Sequence, residues 1–451
     1  MRWKPFPQGL LLALCLSASS RAAVFTWDGG GTTNDNWSTA ANWVGDVVPP
    51  NNGSADIIFA GSTRLSPNAD ANWSVTSLSF SAGAGAFQLG GNQLTIGGGG
   101  ISNNSSITQM INDPIVLGAG QTWNANSGAL MLGVAGTVDT AGFPLVISGG
   151  KGATIGAPVT NSGMIHVTSG SAATFNGTLT NSGSMVIDSS ATVGVSQPYT
   201  AAGSFTNNGS IVFGSNYTGT IGIGGIGSTF FSGGVSTGAG STASLNFGGS
   251  VTIFNELLER LAGPDPTQYD SIYVGGILNL KGTLDVALAG GFTPAAGNSF
   301  NLLHWSVRSG GFKTINLPAL GPGVAWSTLK LYSHGAIAAV DANLIPGDLT
   351  HNAKVDVADI SALEGALRDL SSYQNGRGLT DLQLRQVADL NNDARVNNLD
   401  LQALLNFEAQ LAATGTASIA AVPEPPAFVL IAFGALAIVA CGNRIGIRSG
   451  V

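Results

Sequence analysis

The residues best suited to chemistry form two runs in the last quarter of the chain. Most of their side chains carry oxygen atoms, and one position in each run would contribute a backbone carbonyl. The first run comprises Asp348, Thr350, Asn352, Lys354, Asp356 and Asp359, and the second comprises Asp389, Asn391, Asp393, Arg395, Asn397 and Asp400. Both runs fall on positions 1, 3, 5, 7, 9 and 12 of a twelve-residue loop, and position 7 would contribute its backbone carbonyl. A Ca²⁺ ion takes about six to eight oxygen ligands, which this alternation can supply. The spacing therefore predicts two calcium sites.

The loops depart from the usual calcium pattern at several positions. Ala353 and Ala394 stand at position 6, where glycine normally allows the sharp turn. A left-handed alanine costs about 1 kcal/mol, which would lower the affinity. Thr350 and Asn352 carry no charge, so the second site is predicted to be the stronger one. His351 is predicted to be a surface residue outside the ligand set. The alternative interpretation is an acidic, solvated pair of helices without a metal.

An apolar helical pattern follows each loop and would hold it in place. The spaced residues are Ile360, Leu363 and Leu367 after the first loop, and Leu401, Leu404 and Leu405 after the second. Thr380 and Asp381 would cap a connecting helix that runs through Val387. Duplicated loops and helices over residues 346–408 resemble the type I dockerin module, the calcium-dependent partner of cohesin in polysaccharide-degrading complexes. The resemblance implies a cohesin-like partner, and a plain calcium-stabilised spacer is the alternative.

The composition of the whole chain points to many short strands and turns. The 451 residues include 65 glycines and only 9% charged side chains, against about 7% and 25% in an average globular protein. Residues 23–426 contain no cysteine, which excludes disulfide and thiolate chemistry there. The net charge is −8, and residues 341–408 alone hold nine Asp, two Glu and five Lys or Arg. This acidity argues against a nucleic-acid partner.

Residues 62–250 have the pattern of a stack of short strands. Alternating apolar runs such as Leu145-Val146-Ile147 are separated by turns of Gly, Asn and Ser. A loose repeat recurs at Thr160-Asn161-Ser162-Gly163, Thr180-Asn181-Ser182-Gly183 and Thr206-Asn207-Asn208-Gly209, at intervals of 20 and 26 residues. Coils of this size predict a β-solenoid, in which each rung buries its apolar side only against its neighbours.

The same segment offers little material for catalysis. It contains no Glu, and its charged residues are Arg64, Asp70, Asp113, Asp139, Lys151 and Asp188. General acid–base chemistry needs at least two titratable groups brought together. His166, the one histidine between residues 62 and 250, is predicted to be an ordinary strand residue. A β-helix polysaccharide lyase is the enzymatic alternative, and it requires Asp and Lys or Arg side chains to meet in one groove.

Residues 23–61 carry Trp27, Trp37 and Trp43 among turn-forming residues. Aromatic residues at this density can form a platform on which sugars stack, or they can pack as a cap over the end of a repetitive β core. The absence of a carboxylate cluster among the turn residues favours the cap.

The pattern of strands and turns changes in residues 251–345, and this segment carries a second family resemblance. The motifs that carry this resemblance are Tyr269-Asp270, Gly282-Thr283-Leu284, Phe292-Thr293-Pro294, Gly297, Phe300, Trp326 and Tyr332, with Trp27-Asp28-Gly29 and Asn42-Trp43 near the beginning of the chain. Their order is similar to that in autotransporter-associated β-strand repeat proteins. The resemblance spans about residues 24–340 and implies a passenger-like structural β-solenoid with no catalytic residues to transfer. Residues 254–259 fit either a helical turn or an edge strand.

Both ends of the chain have the pattern of export and sorting signals. Residues 1–22 show basic, apolar and small-residue regions in the order of a secretory signal peptide, with cleavage predicted after Ala22. Residues 409–421 are small and uncharged, which predicts a flexible linker. Residues 422–451 contain Pro423, Glu424 and Pro425, then the apolar run 427–441 and a sparse basic end.

This tail resembles the PEP-CTERM sorting signal of exported bacterial proteins. The resemblance implies transient membrane anchoring by a transmembrane segment at 427–441 and processing by a sorting membrane protease. The apolar run is shorter than the roughly twenty residues that cross a bilayer comfortably. A plain C-terminal anchor with a chance Pro-Glu-Pro sequence is the alternative.

The sequence thus predicts a mainly β chain: a right-handed parallel β-solenoid, a small α-helical module with two calcium loops, and a C-terminal hydrophobic helix. We expect a non-enzymatic, exported structural or adhesion-type protein of the cell envelope, outer surface or extracellular matrix. The alternative is a carbohydrate-binding scaffold component that docks polysaccharide-degrading partners through the dockerin-like module. A glycan or a cohesin-like protein would then be the ligand.

Overall fold

The computed structural model describes residues 22–413 except 134, 202, 220–221, 237–241 and 392. The predicted signal peptide up to residue 21, residues 414–421 of the predicted linker and the predicted sorting tail lie outside these residues. The chain divides into two compact units. Unit 1 extends to Gly233 and includes Asn246–Ser250, whereas unit 2 comprises Gly234–Leu245 and the chain from Val251 onward.

The strands that lie wholly in unit 1 are short. They are β1 (Ala23–Trp27), β2 (Ala55–Phe59), β3 (Asn68–Ala69), β4 (Trp73–Phe80), β5 (Gln88–Gly91), β6 (Leu94–Asn103), β7 (Gln109–Ile111), β8 (Ile115–Leu117), β9 (Gln121–Asn124), β10 (Leu130–Leu132), β11 (Val138–Asp139), β12 (Pro144–Ser148), β13 (Ala153–Ile155), β14 (Val159–Asn161), β15 (Met164–Val167), β16 (Ala172–Phe175), β17 (Leu179–Asn181), β18 (Ser184–Ile187), β19 (Thr192–Val195), β20 (Tyr199–Ala201), β21 (Ser204–Asn207), β22 (Ser210–Phe213), β23 (Tyr217–Gly219) and β24 (Ser228–Phe231).

The remaining elements include all the α-helices of the described residues. The strands are β25 (Val235–Ser236), β26 (Ser244–Phe247), β27 (Ser250–Ile253), β28 (Glu256–Leu261), β29 (Ser271–Leu280), β30 (Thr283–Leu288), β31 (Ser299–Asn301), β32 (Leu303–Gly310), β33 (Thr314–Asn316), β34 (Val324–Ser327) and β35 (Ala336–Asp341). The helices are α1 (Leu331–His334), α2 (Val357–Arg368), α3 (Leu370–Arg377), α4 (Asp381–Ala388) and α5 (Asn398–Ala413).

The strands of the solenoid pair in parallel with their counterparts one coil later. Each coil contributes three strands: β14, β15 and β16 pair with β17, β18 and β19, residue for residue at steps of 20. The structure is mainly β, with a parallel β-solenoid of about nine turns and a few C-terminal helices. The prediction of a parallel solenoid is therefore confirmed at this level, and its right-handedness stays a prediction.

Alternation along the strands separates the interior from the outer face. In β18, Met185 and Ile187 are fully buried, and Ser184 and Val186 are only partly buried. Because side chains of a strand point alternately to opposite faces, two of its four residues enter the core. Apolar residues in this register account for the interior of the described coils.

The Thr-Asn-Ser-Gly repeat is explained by what each residue meets in the stack. Asn161 and Asn181 are fully buried, and the Asn161 side-chain amide donates to Asn181 Oδ1 over 2.7 Å. Stacked asparagines thus satisfy one another inside the coil. A Cβ on Gly183 would lie 1.9 Å from the carbonyl oxygen of Gly163, so only glycine fits at that corner.

The third copy of the repeat lies elsewhere on the coil. Asn207 is aligned with Ile187, whereas Asn181 is aligned with Ala201. Asn207 is also buried, but its amide donates to the Ser228 carbonyl over 3.0 Å. The interval of 20 residues is therefore a true coil length, and the interval of 26 residues compares two different corners.

The three N-terminal tryptophans are buried. Trp27 and Trp37 have no exposed surface and Trp43 has 1%. Trp43 packs edge-on against the other two rings, at centroid distances of 5.2 and 5.9 Å. Its ring N–H donates to the Trp37 carbonyl over 2.7 Å. This packing fits the capping interpretation and leaves no tryptophan face exposed for sugar stacking.

Unit 2 begins with longer coils. β28 pairs with β30, and β29 pairs in parallel with β32. The ambiguous residues 254–259 include the first part of β28, so they form a strand rather than a helical turn. It is not the edge strand of the prediction, because β28 pairs with β25 as well as with β30. Strands β31 and β34 both pair antiparallel with β35.

Four helices, α2 to α5, form the helical module over residues 346–413. Leu363 of α2, Val387 of α4 and Leu404 of α5 have no exposed surface and meet in one apolar cluster. Thr380 caps α4 as predicted, in a reciprocal pair of hydrogen bonds with Gln383. Helix α5 runs to Ala413 and so extends into the predicted linker. Among the described residues, no helix is both long enough and apolar enough to span a bilayer.

Candidate calcium loops

The two loops share a strained backbone at position 6. Ala353 has φ of +63° and Ala394 has φ of +64°, which places both alanines in the left-handed region that favours glycine. The sequence predicted a left-handed alanine in place of glycine at this position. Each of the two alanines costs about 1 kcal/mol in folding free energy. Two unrelated loops would have little reason to share it, so the repeat in spacing is also a repeat in geometry.

Position 1 of the first loop organises the turn around its carboxylate. Asp348 is 3% exposed and accepts the backbone N–H groups of Asn352 and Ala353 over 3.0 and 2.8 Å. The Thr350 hydroxyl donates to the same carboxylate over 3.3 Å. Asn352 Oδ1 accepts the Lys354 backbone N–H over 2.8 Å. The predicted positions 1, 3, 5 and 7 are thereby drawn into one turn.

Position 12 closes the first loop from the following helix. Asp359 has no exposed surface and accepts the backbone N–H groups of Thr350 and Asp356 over 2.8 and 2.9 Å. Burial, together with the nearby charge of Asp348, raises the pKa of Asp359 even though these hydrogen bonds act in the opposite direction. Asp356 in turn accepts the Ala358 N–H over 2.9 Å as the N-cap of α2.

The second loop repeats this closure. Asp400 has no exposed surface and accepts the backbone N–H groups of Leu390 and Asn397, both over 2.7 Å. Asn397 accepts the Leu399 N–H over 2.8 Å at the start of α5. Asp389 accepts the Asp393 N–H over 3.1 Å, as Asp348 accepts that of Asn352.

The side chains of the second loop also bond to one another. Asp393 accepts hydrogen bonds from the amides of Asn391 and Asn397 over 3.1 and 3.4 Å, and from the Arg395 backbone N–H over 2.9 Å. Positions 3, 5, 7 and 9 are therefore in direct contact. This second loop has a charged carboxylate at position 5, where the first loop has Asn352.

The donor set suits calcium in chemistry. Each loop supplies three aspartates and further amide or hydroxyl oxygens, which are the hard oxygen ligands that Ca²⁺ takes. Within residues 22–413, apart from the gaps, no group of three or more His, Cys, Asp or Glu is positioned to hold a metal ion. In the first loop, Asp356 and Asp359 also form a capping box at the start of α2, which uses the same carboxylates.

Two residues near the first loop behave differently from the sequence expectation. His351 was predicted to be a surface residue, but it is partly buried, with φ of +58° and with Nε2 enclosed and unpartnered within the described chain. Glu408 of α5 was assigned no role. It is 9% exposed, and burial followed by the charges of Asp356 and Asp359 raises its pKa to about 7. The sequence signal that could have identified Glu408 is its position as a single acidic residue between apolar residues of an amphipathic helix.

Two further carboxyl groups are buried in the solenoid. Asp113, in unit 1, is 2% exposed, and neither carboxylate oxygen has a hydrogen-bond partner within the described residues. Burial raises its pKa to about 7, against a smaller opposing effect of its own backbone N–H. Glu259, in β28 of unit 2, is 1% exposed and equally unpartnered there, and burial followed by the charge of Asp270 raises its pKa well above the usual range.

Two ion pairs join charged side chains among the described residues of unit 1. His166 lies on β15 with Nε2 3.0 Å from Asp188 Oδ1, in a half-exposed pair. Arg64 pairs with Asp35, near the N-terminal tryptophans. These contacts are between neighbouring coils or turns, and each joins only two groups.

No protein-family profile, no curated protein sequence and no solved structure matches this chain.

Proposed function

We propose that this chain is a non-enzymatic, exported structural protein of the bacterial cell envelope or extracellular matrix, with a calcium-stabilised helical module before a PEP-CTERM-type sorting tail. The solenoid is the displayed part. Residues 422–451, with Pro423-Glu424-Pro425 and the apolar segment 427–441, anchor the chain transiently until a membrane protease removes them. The sequence pattern of the tail and of the signal peptide supports this part of the proposal.

The observation that carries the calcium proposal is the shared geometry of the two loops. In each, a left-handed alanine at position 6 is combined with a buried aspartate at position 12 that closes the loop. Calcium at both loops would offset the mutual repulsion of their carboxylates. The second loop binds more tightly because its third carboxylate, Asp393, stands at position 5, whereas the third carboxylate of the first loop, Asp356, stands at position 9, which often binds the ion through a water molecule.

Thermal unfolding in calcium and in EGTA tests this proposal. We expect EGTA to lower the melting temperature of the helical module and to leave that of the solenoid coils unchanged. Isothermal titration with CaCl₂ should show two sites of unequal affinity. Identical melting temperatures in the two buffers, with no heat of calcium binding, would contradict the proposal that the loops bind calcium.

The carbohydrate-scaffold alternative is supported by the helical module alone. The buried N-terminal tryptophans remove the sugar platform that the sequence left open. A pull-down with a cohesin domain, in calcium, tests the alternative directly. Mass spectrometry of the mature C-terminus tests the sorting proposal, and an intact Val451 would contradict processing.

A further inference from the structure

The apolar core of the helical module contains one residue from outside the module. Leu329 lies in the turn between β34 and α1, in the C-terminal β region of unit 2, and is 9% exposed. The buried cluster to which it belongs consists of Leu329, Leu349, Leu363, Leu384, Val387, Ala388, Leu390, Leu404 and Phe407. The β region therefore supplies a side chain that the helices need to complete their core.

Two cavities meet at Leu329 and Phe407. One, of about 160 Å³, is lined by Trp326 and Leu329 together with residues 353–355 of the first loop. The other, of about 260 Å³, is lined by Leu329, Ser333 and His334 together with Leu390 and Asn391 of the second loop. Phe407 of α5 lines both cavities. Each calcium loop thus borders the place where residues 326–334 enter the module.

The connection between the β region and the module is short and held at both ends. The Ala342 N–H donates to the Gly323 carbonyl over 3.0 Å, and the Gly347 N–H donates to the Val387 carbonyl over 2.8 Å. Between them, Ile345 is 6% exposed and lines the smaller cavity beside Trp326. A freely moving module would have an exposed linker, whereas Ile345 in this connection is buried.

We propose that residues 326–334 are a built-in docking partner of the helical module, with Leu329 as the inserted side chain. The receiving surface is formed by Leu390, Ala403 and Phe407. Because residues of the same chain already occupy this surface, the module holds the end of the β region in place. An external protein that uses this surface must first displace residues 326–334. This inference goes beyond the proposed function and does not depend on calcium.

Hydrogen–deuterium exchange of the full chain, read by mass spectrometry, tests the proposal. Docking through Leu329 means that Leu329→Ala opens the module locally, and we expect exchange of α4 and α5 amides at least ten-fold faster than in the unmodified chain. Leu284→Ala is the matched control. Leu284 of β30 is fully buried in the same unit but outside the module's cluster, so its variant should leave α4 and α5 within about two-fold.

The milder variant Leu329→Val guards against failure of Leu329→Ala to fold, and it should give an intermediate increase. Phe407→Ala should in return speed exchange of residues 326–334. Unchanged exchange of α4 and α5 in the folded Leu329 variants would overturn the proposal. Each measurement is made in CaCl₂ and in EGTA, and a Leu329 effect in both buffers supports docking even if no calcium binds.

Discussion

The solenoid coils of residues 159–213 and the helical module of residues 346–413 handle polar groups in opposite ways. In the coils, buried polar side chains are mostly neutral and bond to one another, as Asn161 does with Asn181. In the module, the polar groups at the loops are aspartates that bond to backbone N–H groups and keep their charge close together. The first arrangement is complete without a ligand, whereas the second has spare oxygen lone pairs. This difference directs a search for ligands to the module.

Asp113 is one of the exceptions in the solenoid, a buried carboxyl group in an earlier coil of unit 1, and it gives the largest expected effect. Its pKa is 3.8 in an ordinary environment and about 7 in the fold, so the folded state holds a proton that the unfolded chain releases between these values. The contribution of Asp113 to stability is therefore most favourable below about pH 4 and becomes less favourable as pH rises towards 7. Asp113→Asn should remove this loss and stabilise unit 1 by about 4 kcal/mol at pH 8.

Urea unfolding at pH 5 and pH 8 measures this effect. Asp139→Asn, a substitution of the same kind at a half-exposed position of β11, serves as the control. If the unmodified chain and Asp113→Asn lose the same stability between the two pH values, Asp113 is not the buried acid described above.

Loss of one calcium site should have the next largest effect, and only on the module. At a free calcium concentration one hundred times the dissociation constant, binding adds about 2.7 kcal/mol per site. Asp400→Asn should lose most of this contribution at the second loop, because Asp400 also closes the loop. Glu364→Gln, an exposed change of the same charge on α2, should retain the full calcium response in a melting assay.

A glycine pair tests whether the solenoid depends on close stacking of its corners. Gly183→Ala would place a Cβ 1.9 Å from the Gly163 carbonyl oxygen, so we expect it to destabilise unit 1 by about 1–3 kcal/mol. Gly194→Ala places its Cβ no nearer than 3.5 Å to Thr174 and should be tolerated. Equal urea midpoints for the two variants would contradict the stacking described here.

The smallest effect would come from making the first calcium loop more like the second. Asn352→Asp adds the position-5 carboxylate that Asp393 already provides in the other loop. We expect about ten-fold tighter calcium binding at the first loop, a change of about 1.4 kcal/mol. Titration calorimetry should then show two sites of closer affinity, and an unaltered difference between them would argue against the position-5 carboxylate as its cause.

Much of the fold could be predicted from local patterns. Alternation in runs such as Met185-Val186-Ile187 indicates a strand with one buried face, and the 20-residue repeat gives the coil length. The repeat could not locate Asn207, because the third motif lies at a different corner: Asn207 aligns with Ile187 at the usual step of 20, and the coil shortens to 18 residues only after it. Short Gly and Asn motifs suit any corner, so their spacing alone does not identify which one.

The candidate site was predicted in its residues but not in its surroundings. Positions 1 to 12 of both loops, and the left-handed alanines, follow from sequence spacing because ligand order in such a loop is local. Glu408 and Leu329 were missed as parts of the same neighbourhood, because they come close to the loops or the module core only through packing, which no local pattern encodes. His351 lies within the first loop, and what the sequence did not show is that its Nε2 is enclosed.

The sequence by itself determined a parallel β-solenoid and two equivalent acidic loops, because alternation and ligand spacing depend only on neighbours along the chain. The tertiary structure decided that the tryptophans are buried, that Asp113 and Glu259 lack partners among the described residues, and that Leu329 completes the module core. These outcomes depend on which distant segments share a space. Burial and desolvation are properties of that shared space, so they could be read only from the folded chain.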